Sequence, residues 1–272
     1  MTGGTSAVAG AYSATGRAWQ DGPGRIYDRL AEGLVARCPT VEADALVLDL
    51  GAGTGAVSRS ALGRGARVVA VDAAEGMLAT ARAQRPPACV GDALALPLRS
   101  GEFDAVVAAF SLNHVANPAA ALREAARVLR PGGALVASAY AEDDTHPVKG
   151  AAEAAAAAEG WVSPAWYEEV RAEAVPRLAT VDRARAVVAE AGLAGAAVAH
   201  VRVPFTDLGP ADLVAWRFGM AQLAPFLAGL DPARRDAVVA DARARLGDDP
   251  PPLVRSIIVI AAPREVDVLG PR

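Results

Sequence analysis

The 272-residue chain is poor in lysine, cysteine, histidine and aromatic residues, and each scarcity narrows what it can be. Its single lysine is Lys149, so arginine carries the remaining positive charge, and those arginines fall singly along the chain rather than in blocks. With a net charge of −4 and no basic block, the electrostatic footprint of a nucleic-acid binder is missing. Cys38 and Cys89 are too few and too far apart for a disulfide framework or a metal cluster, and they read as two buried thiols. The longest uncharged run, residues 105–122, contains Asn113, His114, Asn117 and Pro118 and is unsuited to a bilayer. The N-terminal stretch MTGGTSAVAGAYSATGR has no basic start leading into a sustained apolar core, so it does not read as a secretory signal. The expectation is a cytoplasmic protein with neither a membrane nor a nucleic acid as partner, of a quaternary state that the sequence leaves open.

What the chain has is apolar mass: 53% hydrophobic residues, enough for a sizeable core. Short β-type runs at 46–50, 67–72, 88–91, 103–109 and 133–140 alternate with helical spacing at 57–62, 75–84 and 119–129. This alternation predicts βαβ units around a parallel sheet buried on both faces. Arg130-Pro131-Gly132-Gly133 is expected to end a helix. Further on, helices at 151–159 and 181–191 lead to a strand at 196–204; the stretch 207–249 is helical again, with Asp231-Pro232 offering a cap and a first-turn proline. The run LVRSIIVIAAP supplies a last strand, and upstream Gly22-Pro23 opens a helix running to about Cys38. The fold class expected is α/β: a Rossmann-like seven-stranded, mostly parallel sheet with the last strand antiparallel, helices on both faces and a helical cap. A single domain is expected, with an N-terminal helical flap at 1–40, a cofactor-binding core at 45–140 and cap insertions at 142–179 and 207–250.

The stretch VLDLGAGTGAV places Gly51, Gly53 and Gly55 directly after the first strand. A strand running through such glycines into a helix makes a tight turn with exposed backbone N–H groups, where something polar and close-fitting can sit. Gly51-x-Gly53-x-x-Ala56 also satisfies a dinucleotide fingerprint. Asp72 ends the second strand, where a carboxylate accepts from the ribose hydroxyls that NAD and S-adenosylmethionine share, while it would repel the 2′-phosphate of NADP. Asp92 and the N–H of Ala93, after the third strand, suit the edge of an adenine. Asp49 beside the turn suits an ammonium better than a pyrophosphate.

With these residues in view, the chain resembles the class I S-adenosylmethionine-dependent methyltransferases of the small-molecule type, the methyltransferase type 11-like domains. VLDLGAGTG is similar to that family's first motif, VVAVDAAEGML to its second, GDALALPL to its third, FDAVVAAFSLNHV to its fourth and EAARVLRPGG to the segment before strand five. The resemblance covers roughly residues 47–140 and implies S-adenosyl-L-methionine as cofactor. It implies that Gly51, Ala52 and Gly53 line the methionine part and that Asp49 holds its amino group. Asp72, with Ala73 beside it, would bind ribose; Met77 would pack on adenine, and Asp92 and Ala93 would read its edge. Phe110 and Ser111 would lie beside the sulfonium, with Tyr12 and Trp19 on an aromatic flap above. The Asp/Asn-Pro-Pro-Tyr/Phe motif of the DNA amino-methyltransferases is absent from the sequence.

A sulfonium methyl is already activated, so the protein's task is to align a nucleophile, exclude water and remove a proton where the nucleophile carries one. His114, after the fourth strand, is the leading base candidate; His146, after the fifth, is a second, with Asp143 and Asp144 nearby either orienting a substrate or forming a solvated loop. His200, within a strand, reads as structural. Trp161, Trp166, Tyr167, Trp216, Phe218, Met220 and Phe226 are expected to roof a hydrophobic acceptor site. Three readings follow: methyl transfer to a small, hydrophobic organic acceptor, with oxygen favoured over carbon or nitrogen; an NAD-dependent oxidoreductase; and a cofactor-binding scaffold that does not methylate, such as a cyclase or binding protein.

Overall fold

In the computed structural model, which describes residues 3–80, 85–193 and 195–264, the apolar runs form seven strands among the described residues. They are Leu46–Leu50 (β1), Arg67–Asp72 (β2), Ala88–Val90 (β3), Phe103–Ala109 (β4), Leu129–Tyr140 (β5), Ala197–Phe205 (β6) and Leu253–Pro263 (β7). One sheet contains them in the order β3-β2-β1-β4-β5-β7-β6. Strands β1 to β5 are parallel, and β7 lies antiparallel between β5 and β6. This is the Rossmann-like sheet that the alternation predicts.

Three helices precede the sheet: Gly3–Ser13 (α1), Gly16–Asp21 (α2) and Gly24–Val35 (α3). Ala56–Leu62 (α4), Glu75–Thr80 (α5) and Pro118–Val128 (α6) connect the parallel strands. After β5 come Pro147–Ala158 (α7), Ala165–Glu169 (α8) and Val181–Glu190 (α9); Pro210–Phe218 (α10), Ala224–Gly229 (α11) and Pro232–Leu246 (α12) separate β6 from β7. Both sheet faces are covered because successive side chains point to opposite sides. Val47, Ile257 and Val259 pack on the layer holding α3, α4, α7, α10 and α12, whereas Leu48, Leu50, Ile258 and Ile260 pack on that holding α6 and α9. The caps follow local chemistry: Asn117 Oδ1 accepts from Ala120 N at 2.9 Å before α6, and Asp231 Oδ1 accepts from Arg234 N at 3.0 Å before α12. No helix among the described residues is long and apolar enough to cross a membrane.

Some boundaries differ from the sequence reading. β5 begins at Leu129, four residues early: α6 stops at Val128, Leu129 pairs with Phe103, and the register then shifts before Ala105 meets Ala134. Arg130 to Gly133 are therefore an irregular strand entry rather than a helix-ending turn. α7 starts at Pro147 instead of 151, because His146 caps it. The end of the 75–84 helix, from residue 81, lies outside the described residues. The order β3-β2-β1-β4 reverses direction between β1 and β4, and at their carboxyl ends an open α/β sheet leaves a crevice.

Candidate functional site

The turn after β1 is shaped by steric exclusion. Gly51 has φ +72°, and a Cβ there would stand 2.2 Å from the Cβ of Ser111, which itself donates through Oγ to Leu50 O at 2.8 Å. The turn is tied to β2 by Gly51 N and Ala52 N, both donating to Val71 O, at 2.8 and 3.0 Å. Asp72 then joins both sides of the crevice: Gly53 N donates to its Oδ2 and Ala74 N to its Oδ1, each at 2.7 Å. Burial raises the Asp72 pKa, and these backbone N–H groups oppose that shift.

Asp49 is 1% exposed, and its Oδ2 accepts from Ser58 N at 2.9 Å and Ser58 Oγ at 2.6 Å. Burial pushes its pKa up to about 7, against the pull of the two Ser58 bonds. A cation beside it would restore the charged form; a second anion would not. Asp92 is exposed, and Leu94 N donates to its Oδ1 at 2.9 Å, which holds the carboxylate next to Ala93.

One cavity is bordered by all of these: Asp49, Gly51, Ala52, Gly53, Asp72, Ala73, Met77, Asp92, Ala93, Phe110, Ser111, Tyr12, Trp19 and His114. The sequence-derived set thus converges in space, apart from His146. Helix α1 forms the roof, held down where Gly76 N donates to Ser13 Oγ at 3.2 Å and where a Cβ on Gly76 would lie 2.0 Å from Ser13 O. Tyr12 Oη lies 3.3 Å from His114 Nε2, and its ring meets those of Trp19 and His114 edge-on at 5.6 and 5.3 Å. Burial lowers the His114 pKa to about 4, so the imidazole is neutral near pH 7, and its Nδ1 is buried without a partner.

His146 is placed elsewhere and corrects the second base assignment. Its Nδ1 accepts from Val148 N at 3.2 Å, its Nε2 donates to Pro251 O at 2.8 Å, and it is absent from the cavity wall. A histidine with both nitrogens engaged in capping α7 has none left for proton transfer. Of the acids beside it, only Asp144 departs from a solvated loop, since Asp143 is exposed. Asp144 is buried on Arg255 and Lys149, while Asp143 accepts from Ser256 Oγ at 2.6 Å and faces His200 at 3.4 Å. Nor do the six cap aromatics and Met220 border the cavity: Trp216 and Phe218 are core, and Trp161 Nε1 donates to Gln222 O at 3.0 Å. Trp166 reaches only the outer side of Tyr12, with ring centres 6.3 Å apart. Residues that the sequence reading passed over are Val8, Tyr27 and Thr54; Tyr27 is signalled only by the glycine-bounded aromatic spacing of the N-terminal helices.

Residues 48–137, which run from within β1 to within β5, match the family model described as a methyltransferase domain. That match spans about a third of the chain, which over those residues is similar to a methyltransferase domain. Among curated relatives, a demethylmenaquinone methyltransferase of Mycolicibacterium vanbaalenii is 41% identical over 129 residues, 47% of this chain and 55% of that one. The chain thus spans about half the length of that relative. The fold of the chain recurs in the Haloferax volcanii methyltransferase solved with its Trm112 activator, with a TM-score of 0.55 and 23% identity over 94% of this chain and 96% of that chain. The sheet and its flanking helices recur also in the [4+2]-cyclase SpnF, with a TM-score of 0.52 and 22% identity over 88% of this chain and 82% of that chain.

Proposed function

We propose that the chain transfers a methyl group from S-adenosyl-L-methionine to a small, hydrophobic organic acceptor, with an oxygen nucleophile favoured. The observation that carries this reading is the pairing, within one cavity, of a side-chain-free turn at Gly51 with two carboxylates, Asp49 and Asp72, and no lysine or arginine among the described residues of its wall. That donor set fits an ammonium and a ribose; it is hostile to a pyrophosphate, which counts against the NAD reading. In this reading the chain works as one domain, with residues 1–40 as flap, 45–140 as cofactor core, and 142–179 and 207–250 as cap.

When bound, S-adenosylmethionine supplies a methyl group already activated on a sulfonium. The protein's contribution is placement. Asp49, returned to its charged form by the ligand's ammonium, would fix the amino-acid end, and Asp72 the ribose hydroxyls. Met77 and the loop of Asp92 and Ala93 would flank the adenine. Phe110 and Ser111 would border the reacting end, with Tyr12 and Trp19 excluding water above it. His114, neutral and with a free Nδ1, would accept the proton of a hydroxyl acceptor, and Tyr12 would orient its ring through Nε2.

Calorimetric titration with S-adenosylmethionine, its demethylated product and NAD tests the reading. Binding of the first two without NAD is the expected result, and mass spectrometry of small molecules retained on purification should find an adenosyl thioether. Affinity for NAD alone would overturn it. Cofactor binding without transfer to any acceptor in a panel of phenols, acids and amines would leave the non-methylating scaffold standing.

A further inference from the structure

Behind the aromatic wall of the cavity lies a buried charge cluster that the cofactor does not use. Arg255, near the start of β7, stands beside Tyr140 at the end of β5, where Tyr140 pairs with Ile257. Its Nε and Nη2 donate to Asp144 Oδ1 and Oδ2 at 2.9 and 2.8 Å, and both residues are less than a tenth exposed. The rings of Tyr140 and Trp216 lie 4.1 and 4.7 Å from the guanidinium carbon. With one edge of the planar fork engaged by Asp144, Nη1 is directed away from it.

Nη1 has no partner. Neither has Trp216 Nε1, and Tyr140 Oη has no partner at hydrogen-bond distance, only the Tyr27 side chain nearby. Burial without an acceptor is rare for one such group, and here three side chains packed together each carry one. The charges are also unequal: Asp144 serves both Arg255 and Lys149, the latter at 2.9 Å, whereas neighbouring Arg217 has Glu153 at 3.1 Å. The cluster therefore has one cation in excess and offers two N–H donors and a hydroxyl that can donate, so an oxyanion satisfies it and an ammonium does not.

The cluster adjoins the cavity. Tyr140 stacks on Phe110 at 4.5 Å between ring centres, and Tyr27 stands edge-on to Phe110 at 5.6 Å; Phe110 and Tyr27 both border the cavity. Phe110 has φ +55°, a left-handed conformation costly for a bulky residue, and this strained backbone carries the ring that separates the cavity from Arg255.

We propose that Arg255, Tyr140 and Trp216 form a subsite for a carboxylate carried by the methyl acceptor, reached when the rings of Phe110 and Tyr27 part. The assignment to an acceptor rests on the methyl-transfer reading. The test is calorimetry on the full chain, with and without saturating S-adenosylhomocysteine, using benzoate as the probe and benzamide as its uncharged counterpart. Benzoate should bind about tenfold or more tightly than benzamide, as charge-assisted hydrogen bonds exceed neutral ones. Trp216→Phe keeps a ring and removes Nε1–H; Arg255→Lys keeps a cation for Asp144 and removes Nη1. Each should erase most of the preference while the affinity for S-adenosylhomocysteine stays within about twofold, a span small beside the tenfold step. A chain that binds S-adenosylhomocysteine but takes benzoate no better than benzamide, or takes neither, refutes the subsite and leaves the cofactor reading intact; buried water then satisfies the donors. A chain that prefers benzoate but binds no S-adenosylhomocysteine refutes the assignment to a methyl acceptor.

Discussion

Replacing Asp72 by alanine tests the cofactor site at its most connected point. The carboxylate accepts Gly53 N and Ala74 N at 2.7 Å each, so one side chain both shapes the glycine turn and presents the charge that would meet the ribose. A hydrogen bond to a charged group contributes about 1.5–3 kcal/mol. Loss of one such bond therefore weakens binding of S-adenosylhomocysteine about 10- to 150-fold at 25 °C. Loosening of the turn adds to this, because two backbone donors must then find water. Calorimetry gives the dissociation constant, and thermal denaturation of the ligand-free protein reports how much of the change is structural. Asp72→Asn separates the two: it retains a side-chain oxygen for one of the N–H groups and loses the charge. An unchanged dissociation constant in both variants would remove Asp72 from the ligand and refute the reasoning.

Three further outcomes are expected. His114→Ala should lower the transfer rate to a hydroxyl acceptor by about 10²- to 10⁴-fold with cofactor affinity nearly unchanged; single-turnover kinetics at full rate would reduce His114 to cavity lining. Asp49 has a folded-state pKa raised to about 7, so the folded protein holds a proton that the unfolded chain has released. Its stabilising contribution is complete below about pH 4, the ordinary range of the group, and is lost as pH rises through 7. Ligand-free protein should thus lose stability in urea more steeply between pH 5 and pH 8 than Asp49→Asn does, and parallel profiles would contradict the shift. Gly76→Ala sets a methyl against Ser13 O, where a Cβ has 2.0 Å, and should displace α1 from α5. Faster S-adenosylhomocysteine dissociation in stopped-flow is the expected sign, and an unchanged rate would show that α1 does not cover the ligand.

The site was legible wherever its residues are held by local connectivity. Asp49, Gly51, Asp72 and Asp92 each sit at or just past a strand end, and a parallel sheet brings such ends to one edge whatever the helices do. His146 misled because sequence position places it at that same edge, while only the fold brings Pro251 O to its Nε2. The cap aromatics misled similarly: an aromatic stripe announces burial but not which neighbour provides it.

From its sequence alone the chain determined the alternation of strand and helix, the glycine turn and the acids flanking it, since these depend on spacing over a few residues. Tertiary structure alone decided that α1 closes the cavity, that His114 is neutral beside Tyr12, and that Asp144 meets Arg255 across 111 positions of chain. The reason is physical: backbone preference acts between near neighbours, whereas burial, and with it charge state and hydrogen-bond partner, is set by whichever distant segment packs on top.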